Sequence, residues 1–291
     1  MRLDVYAGRV SFKPRRRILL RGAWSGVYSG KIVYDALQGA GVVVEKGGFF
    51  RVSPLKPVRG PEIAAGQVLL PGARYSFNLY IWDIPGRVTA ANIISSLTVG
   101  LSMLKDVIVE EVNFSKKTLT VPHPEKIIKA SEEGDPCASV YVVNHGPTFY
   151  RFHGAIINYP SPRRMLASIA RRLTEITTIS YRKAASTLAE FVELYRFKVR
   201  RERFTISHGT RQPIFFGTAR YYIVAPRPLV EAFEQLLEAA KLLGLGGGPG
   251  IGMGEVRGVK RVPPPPRLPP PVTPCYEEAV HTEEPYEEDE W

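Results

Sequence analysis

The 291-residue chain carries 39 Lys and Arg against 28 Asp and Glu, is 44% hydrophobic and 10% aromatic, and has two cysteines. This composition excludes a disordered or fibrous chain and supplies enough sequence for one large core or two small ones. No run approaches the roughly 18 apolar residues of a membrane span, and the N-terminus has no apolar signal core, so a soluble cytoplasmic protein is expected.

In chain order, residues 3–20 alternate enough for a strand or hairpin, broken by Arg15-Arg16-Arg17. A helix is predicted over 26–39, with Val27, Ile32, Val33, Ala36 and Leu37 on its apolar face and Ser25 as N-cap. Strands over 49–55 and 74–83 follow, then a helix over 88–104 and a strand pair over 107–121. The order is β-α-β-β-α-β, that of the ferredoxin-like unit. The polar, proline-bearing stretch 122–137 reads as a domain boundary.

The same order then repeats. Strands over 139–143 and 149–157 are expected to turn at His145-Gly146, and Ser161-Pro162 opens one long helix, or two in tandem, over 163–194. Strands over 197–207 and 214–224 and a helix over 228–243 complete the repeat, with a last strand ending at Val262. The expected fold is therefore α+β: two tandem ferredoxin-like units, 1–122 and 138–262, and a tail. Residues 263–291 hold nine prolines and should be extended and disordered.

Charge divides along the same line. The tail holds one Arg and eight acidic residues, so it carries −7 and residues 1–262 carry +18. A body that basic calls for a polyanionic partner, most commonly nucleic acid. Cys137 and Cys275 lie far apart, and neither a zinc site nor a disulfide is expected from them. Only nine Asn and Gln occur, in keeping with a thermophilic source.

Between Leu243 and Val256, seven of fourteen positions are glycine, spaced as Gly244-x-Gly246, five residues, then Gly252-x-Gly254. The order helix, loop, strand is the reverse of a nucleotide-binding loop, and no Gly-Lys-Ser/Thr follows. The expectation is a bare backbone lying against a polyanion, with a flexible linker as the plain alternative. Gly244, Gly246, Gly252, Gly254, Arg211 and Arg15, Arg16 and Arg17 are the candidate nucleic-acid-binding residues.

Two such units with this loop before the last strand resemble the RAMP superfamily of CRISPR-associated RNA-binding proteins. Within it, the likeness is to the CRISPR repeat-processing endoribonuclease. It is carried by Lys31-Ile-Val-Tyr34-Asp-Ala-Leu, by Phe49-Phe50-Arg51-Val52-Ser53-Pro54-Leu55, by Tyr75-Ser-Phe-Asn-Leu-Tyr and by the glycine loop, and it covers 1–262. The resemblance implies cleavage of precursor transcripts into guide RNAs without a metal. The ribose 2′-OH would attack its own phosphate, leaving 2′,3′-cyclic phosphate and 5′-OH ends.

Tyr34 matches the tyrosine of the family's first helix, and Lys31, one turn earlier, is expected on the same helix face. Better-known members place a histidine in the loop after that helix. Residues 40–48 have none here, and Lys46 is their only cation. His208, near Thr210-Arg211, is a second acid–base candidate. No cofactor is expected, and no acidic pair or His/Cys set has metal-ligand spacing.

The implied partners are CRISPR repeat RNA and other CRISPR-associated effector subunits, with a homodimer left open. The alternative is a non-catalytic RAMP subunit that holds guide RNA in an interference complex. A general RNA-binding protein with an RRM-like sheet lacks the expected RNP run.

Overall fold

The computed structural model describes residues 1–20, 23–43, 48–57, 63, 67–132, 134–206, 211–264 and 273–276. The first half comprises β1 (Arg2–Pro14), β2 (Ile18–Leu19), α1 (Ser25–Gly39), β3 (Phe50–Val52), β4 (Lys56–Pro57), β5 (Val68–Leu69), β6 (Tyr75–Trp82), α2 (Ala90–Ser102) and β7 (Val107–Thr120). Its main sheet runs β3-β6-β1-β7 and is antiparallel throughout, with β4 also on β6 and a separate β2-β5 ribbon.

After α3 (Pro124–Ala130), the second half comprises β8 (Pro136–Thr148), β9 (Tyr150–Phe152), β10 (Ala155–Ile157), α4 (Pro162–Thr177), α5 (Arg182–Ala189), β11 (Val192–Thr205), β12 (Arg211–Pro226), α6 (Arg227–Leu243) and β13 (Val256–Val262). Its sheet runs β11-β12-β8-β13, also antiparallel, and β9 and β10 form a small hairpin of their own.

Local rules account for most boundaries. The Ser161 hydroxyl caps α4 by accepting from the Arg164 N–H (3.4 Å), with Pro162 at the first helical position. Met165, Leu166, Ile169, Leu173 and Ile176 give α4 its buried stripe, and Thr178 ends it in a left-handed conformation. α6 buries Leu229, Phe233, Leu236, Leu237, Ala240 and Leu243, and ends at Gly244 with φ +75°.

Several expectations are corrected. Ser25 is the first residue of α1 rather than its cap, and its hydroxyl accepts from the Leu55 N–H (3.3 Å). Residues 107–120 form one long strand, not a pair. β8 runs straight through His145-Gly146, and the hairpin turn lies instead at His153-Gly154. His145 is buried against the Tyr221 hydroxyl (3.0 Å), and burial pushes its pKa down to about 3. Its neutral ring is therefore a core group.

The stretch 122–137 contains α3, whose Ile127 and Ala130 join Val121, Leu3, Val5 and Trp82 of the first half in one apolar core with α4, α5 and α6. Among the described residues, no helix is long and apolar enough to cross a membrane.

Cys137 and Cys275 form a disulfide, contrary to expectation. Ala138 N–H donates to the Thr273 carbonyl (3.0 Å) and Cys275 N–H to that of Ala138 (3.1 Å), so residues 273–276 lie along the start of β8. Tyr276 then sits under the guanidinium groups of Arg261 (3.7 Å) and Arg227 (5.1 Å). A tail segment expected to be free of structure is thus anchored; residues 265–272 and 277–291 lie outside the described residues.

Candidate functional site

The glycine loop packs on α1. Gly26 and Gly30, one turn apart on that helix, leave room for the backbone of Gly250 to Gly252. A Cβ on Gly30 would lie 2.0 Å from the Gly250 carbonyl oxygen, and one on Gly26 2.4 Å from that of Ile251. A Cβ on Gly252 would in turn lie 2.8 Å from the Gly26 Cα. Two backbones meet with no side chain between them, which only glycine on both sides permits.

Gly244, Gly246, Gly252 and Gly254 are all buried and all at positive φ. Gly246 N–H donates to the Ser168 hydroxyl (2.6 Å), Gly254 N–H to the Pro147 carbonyl (2.7 Å) and Leu245 N–H to that of Gly254 (2.6 Å). The ends of the loop are therefore folded into the protein, and its half-buried rim is Gly247 to Ile251. Both neighbouring faces contribute to a small separate core of Trp24, Phe149, Phe204, Ile214 and Met253, in which Trp24 stacks on Phe204 at 5.0 Å and donates to the Gly252 carbonyl (3.3 Å).

Tyr34 projects from α1 beside this rim. A Cβ on Gly250 would be 3.5 Å from its hydroxyl, and its ring meets Phe50 edge-on at 5.3 Å. Burial raises its pKa, so the hydroxyl keeps its proton and acts as a donor. Lys31 is placed differently. It is exposed, forms an ion pair with Asp35, and lies with Tyr28 and Asp106 near the α2–β7 connection. Arg16 pairs with Asp106 (2.9 Å), and Arg15, Arg16 and Arg17 are all exposed.

Arg211 is exposed at the start of β12, opposite Thr205, whose carbonyl accepts from the Trp24 N–H (3.2 Å). That brings Arg211 to the side of the molecule where α1 begins. Lys46 and His208 lie outside the described residues.

Phe49, whose ring meets that of Phe50 at 5.2 Å, lines a cleft of about 1030 Å³ between the halves together with Trp82, Arg87, Arg171, Arg172 and Glu175 among others. Arg172 is buried and donates to the carbonyls of Leu243 and Gly246 (the latter 2.8 Å), tying α4 to the start of the glycine loop. Burial, with Arg171 and Arg51 nearby, pushes its pKa down to about 9, which leaves it charged at neutral pH. Arg51 is also buried, its guanidinium 4.3 Å from the Tyr80 ring, and its Nε and Nη1 have no hydrogen-bond partner among the described residues.

The burial of Arg172 escaped the sequence reading because paired arginines on a helix usually mark a solvated face. The one signal was that Arg172 falls at the spacing of the buried stripe of α4, three residues after Ile169. Among the described residues, no three His, Cys, Asp or Glu side chains gather as a metal site.

Residues 143–256 match the family model described as CRISPR-associated endoribonuclease Cas6. No curated protein matches the chain. Among solved structures, Cas6 of Thermus thermophilus aligns at 15% identity over 90% of this chain and 99% of that one, with a TM-score of 0.56. A Cas6 substrate-mimic complex aligns at 16% identity over 88% and 99%, with a TM-score of 0.53. A Cas6 product complex aligns at 15% over 89% and 100%, with a TM-score of 0.55. The fold is shared along 88–90% of this chain and nearly the whole of each of the others.

Proposed function

We propose that this chain, a Cas6-family protein by the match over residues 143–256 and by its fold, binds CRISPR repeat RNA and cleaves the precursor transcript into guide RNAs. We read its two sheets as tandem ferredoxin-like units, 1–122 and 138–262, because both follow β-α-β-β-α-β with the same strand order. The observation that carries the function is the Tyr34 hydroxyl at the glycine rim, linked through the rings of Phe50 and Phe49 to a cleft lined by three arginines. The solved substrate-mimic and product complexes of Cas6 proteins with this fold support the same substrate class.

The reaction proposed is attack of a ribose 2′-OH on its own phosphate, giving a 2′,3′-cyclic phosphate and a 5′-OH without a metal. Tyr34, protonated, donates to the phosphate or orients the 2′-OH. Arg87, Arg171 and Arg172 supply positive potential where negative charge develops. Lys46, three residues before Phe49 in the sequence, is the candidate for direct charge stabilisation, and an ammonium suits that role better than proton transfer near neutral pH. The exposed arm of β11, with Arg200, Arg201 and Arg203, is the candidate track for the RNA backbone.

The test is incubation of the purified protein with a CRISPR repeat RNA in EDTA. Cleavage with a cyclic phosphate at the new 3′ end is expected. Strict dependence on Mg²⁺, or a free 3′-OH product, overturns the mechanism. Tight binding with no cleavage supports the second reading, a non-catalytic RAMP subunit, which the lack of a histidine in residues 40–48 favours.

A further inference from the structure

The β9–β10 hairpin is not needed for the chemistry above, yet it holds an unusual surface. Phe152 is 42% exposed at its tip. The Arg164 guanidinium, from the first turn of α4, lies 3.5 Å from the centroid of that ring, and the His153 ring meets it at 4.3 Å and 64°. His153 and Gly154 both have positive φ, as a two-residue turn of this kind requires, which leaves Phe152 at the crest of the hairpin.

The charge around it has one sign along the chain. No acidic residue occurs between Asp135 and Glu175, a stretch that contains Arg151, Arg163, Arg164, Arg171 and Arg172. The hairpin also continues from the glycine loop. Phe149, just before β9, accepts from the Gly247 N–H (3.0 Å), and a Cβ on Gly247 would strike its ring at 2.5 Å. Arg151 lies 5.7 Å from that same ring. Phe149 is thus buried beneath Arg151, and Phe152 with Arg164 forms the exposed aromatic and basic pair of the hairpin.

We propose that Phe152, backed by Arg164, is a stacking platform for one unpaired base of the RNA. This rests on the RNA-binding reading above and not on cleavage. An aromatic face accepts any base, and a guanidinium stacked on the ring and the surrounding arginines hold the adjacent phosphates. A paired base presents no free face, so the occupant is single-stranded RNA.

The experiment uses the full chain and single-stranded RNAs of about 12 nucleotides with one 2-aminopurine at successive positions. At one position the wild-type protein should quench its fluorescence by stacking. Phe152→Ala should abolish that quenching and weaken binding by about 5- to 150-fold, the loss of one stacked base. Phe152→Trp should restore both, whereas Phe152→Leu, which keeps apolar area without a π face, should not. The thermal midpoint should fall by no more than about 4 °C, the worth of one exposed cation–π contact. Arg163→Ala should lower the salt dependence of binding by about one contact, and Phe152→Ala should leave that slope unchanged.

Equal affinity and quenching for wild type and Phe152→Ala overturns the platform while leaving cleavage intact. Loss of binding equally on duplex RNA overturns it too, since a stack needs an unpaired base. Stacking without cleavage supports the platform and removes the nuclease reading. No RNA binding by the wild-type protein overturns both.

Discussion

Helix α1 presents two faces to two different neighbours. On one face, Gly26, Gly30 and Tyr34 stand four residues apart and meet the backbone of the glycine loop. On another, Tyr28, Lys31 and Asp35 meet the α2–β7 connection at the surface. Lys31 and Tyr34 are near neighbours along the helix. Yet Lys31 is one residue, about 100° of rotation, from Gly30, the centre of the first face. That rotation carries Lys31 out of the seam and into an ion pair. The lesson is that the face without side chains is where two chain segments approach most closely, and that approach places the Tyr34 hydroxyl beside the loop rim.

Replacing Gly30 by Val should have the largest effect. The new Cβ would lie 2.0 Å from a backbone oxygen that cannot swing away. The cost should reach about 3 kcal/mol, the upper end of overpacking. For a chain of this size that is a fall of roughly 6–12 °C in the thermal midpoint. Cleavage of repeat RNA should fall with it. An unchanged midpoint would mean that the seam is open in solution.

Tyr34→Phe separates chemistry from packing on the same face. Single-turnover cleavage should slow by roughly 10²–10³, by analogy with the loss of one preorganised donor, while the thermal midpoint stays within a degree or two. If the rate is unchanged, the hydroxyl is a packing group and the site lies elsewhere.

Arg172→Met tests the support of the loop from behind. It removes charged donors from the carbonyls of Leu243 and Gly246 but also relieves a buried cation, so a net loss of about 2 kcal/mol is expected. Amide hydrogen exchange should quicken at Gly246, next to the freed carbonyl and bonded to Ser168 on the same helix. Exchange unchanged there, with a lowered midpoint, would confine Arg172 to the core.

Lys31→Ala should do least. An exposed i,i+4 pair contributes about 0.3–0.5 kcal/mol, and the cleavage rate should stay within about twofold of wild type. A tenfold loss would return Lys31 to the site and remove the contrast between the two faces.

Much of the fold was legible in the residues. The apolar face of α1 was read correctly at Ile32, Val33, Ala36 and Leu37, and so was the cap at Ser161, because both signals are local. The reading failed where a local signal had two meanings. His145-Gly146 looks like a turn, but Val140, Tyr141 and Val143 on one side and Thr148 on the other are buried in one continuous strand, and tertiary packing outweighs turn propensity. Cys137 and Cys275 looked unrelated because 138 residues separate them, and sequence spacing says nothing about which strand a tail will lie beside.

The sequence by itself determined the order of elements, the basic body, the glycine cluster and the tyrosine of the first helix. Only the tertiary structure decided what the glycines touch. Read along the chain, they are a bare backbone awaiting an external partner; folded, most of them are occupied by Gly26, Gly30, Phe149, Leu245 and Arg172. The physical reason is that glycine at positive φ records a backbone conformation and a need for space, both visible in sequence as a residue type, whereas the atom that fills the space can come from a segment more than two hundred residues away in the chain.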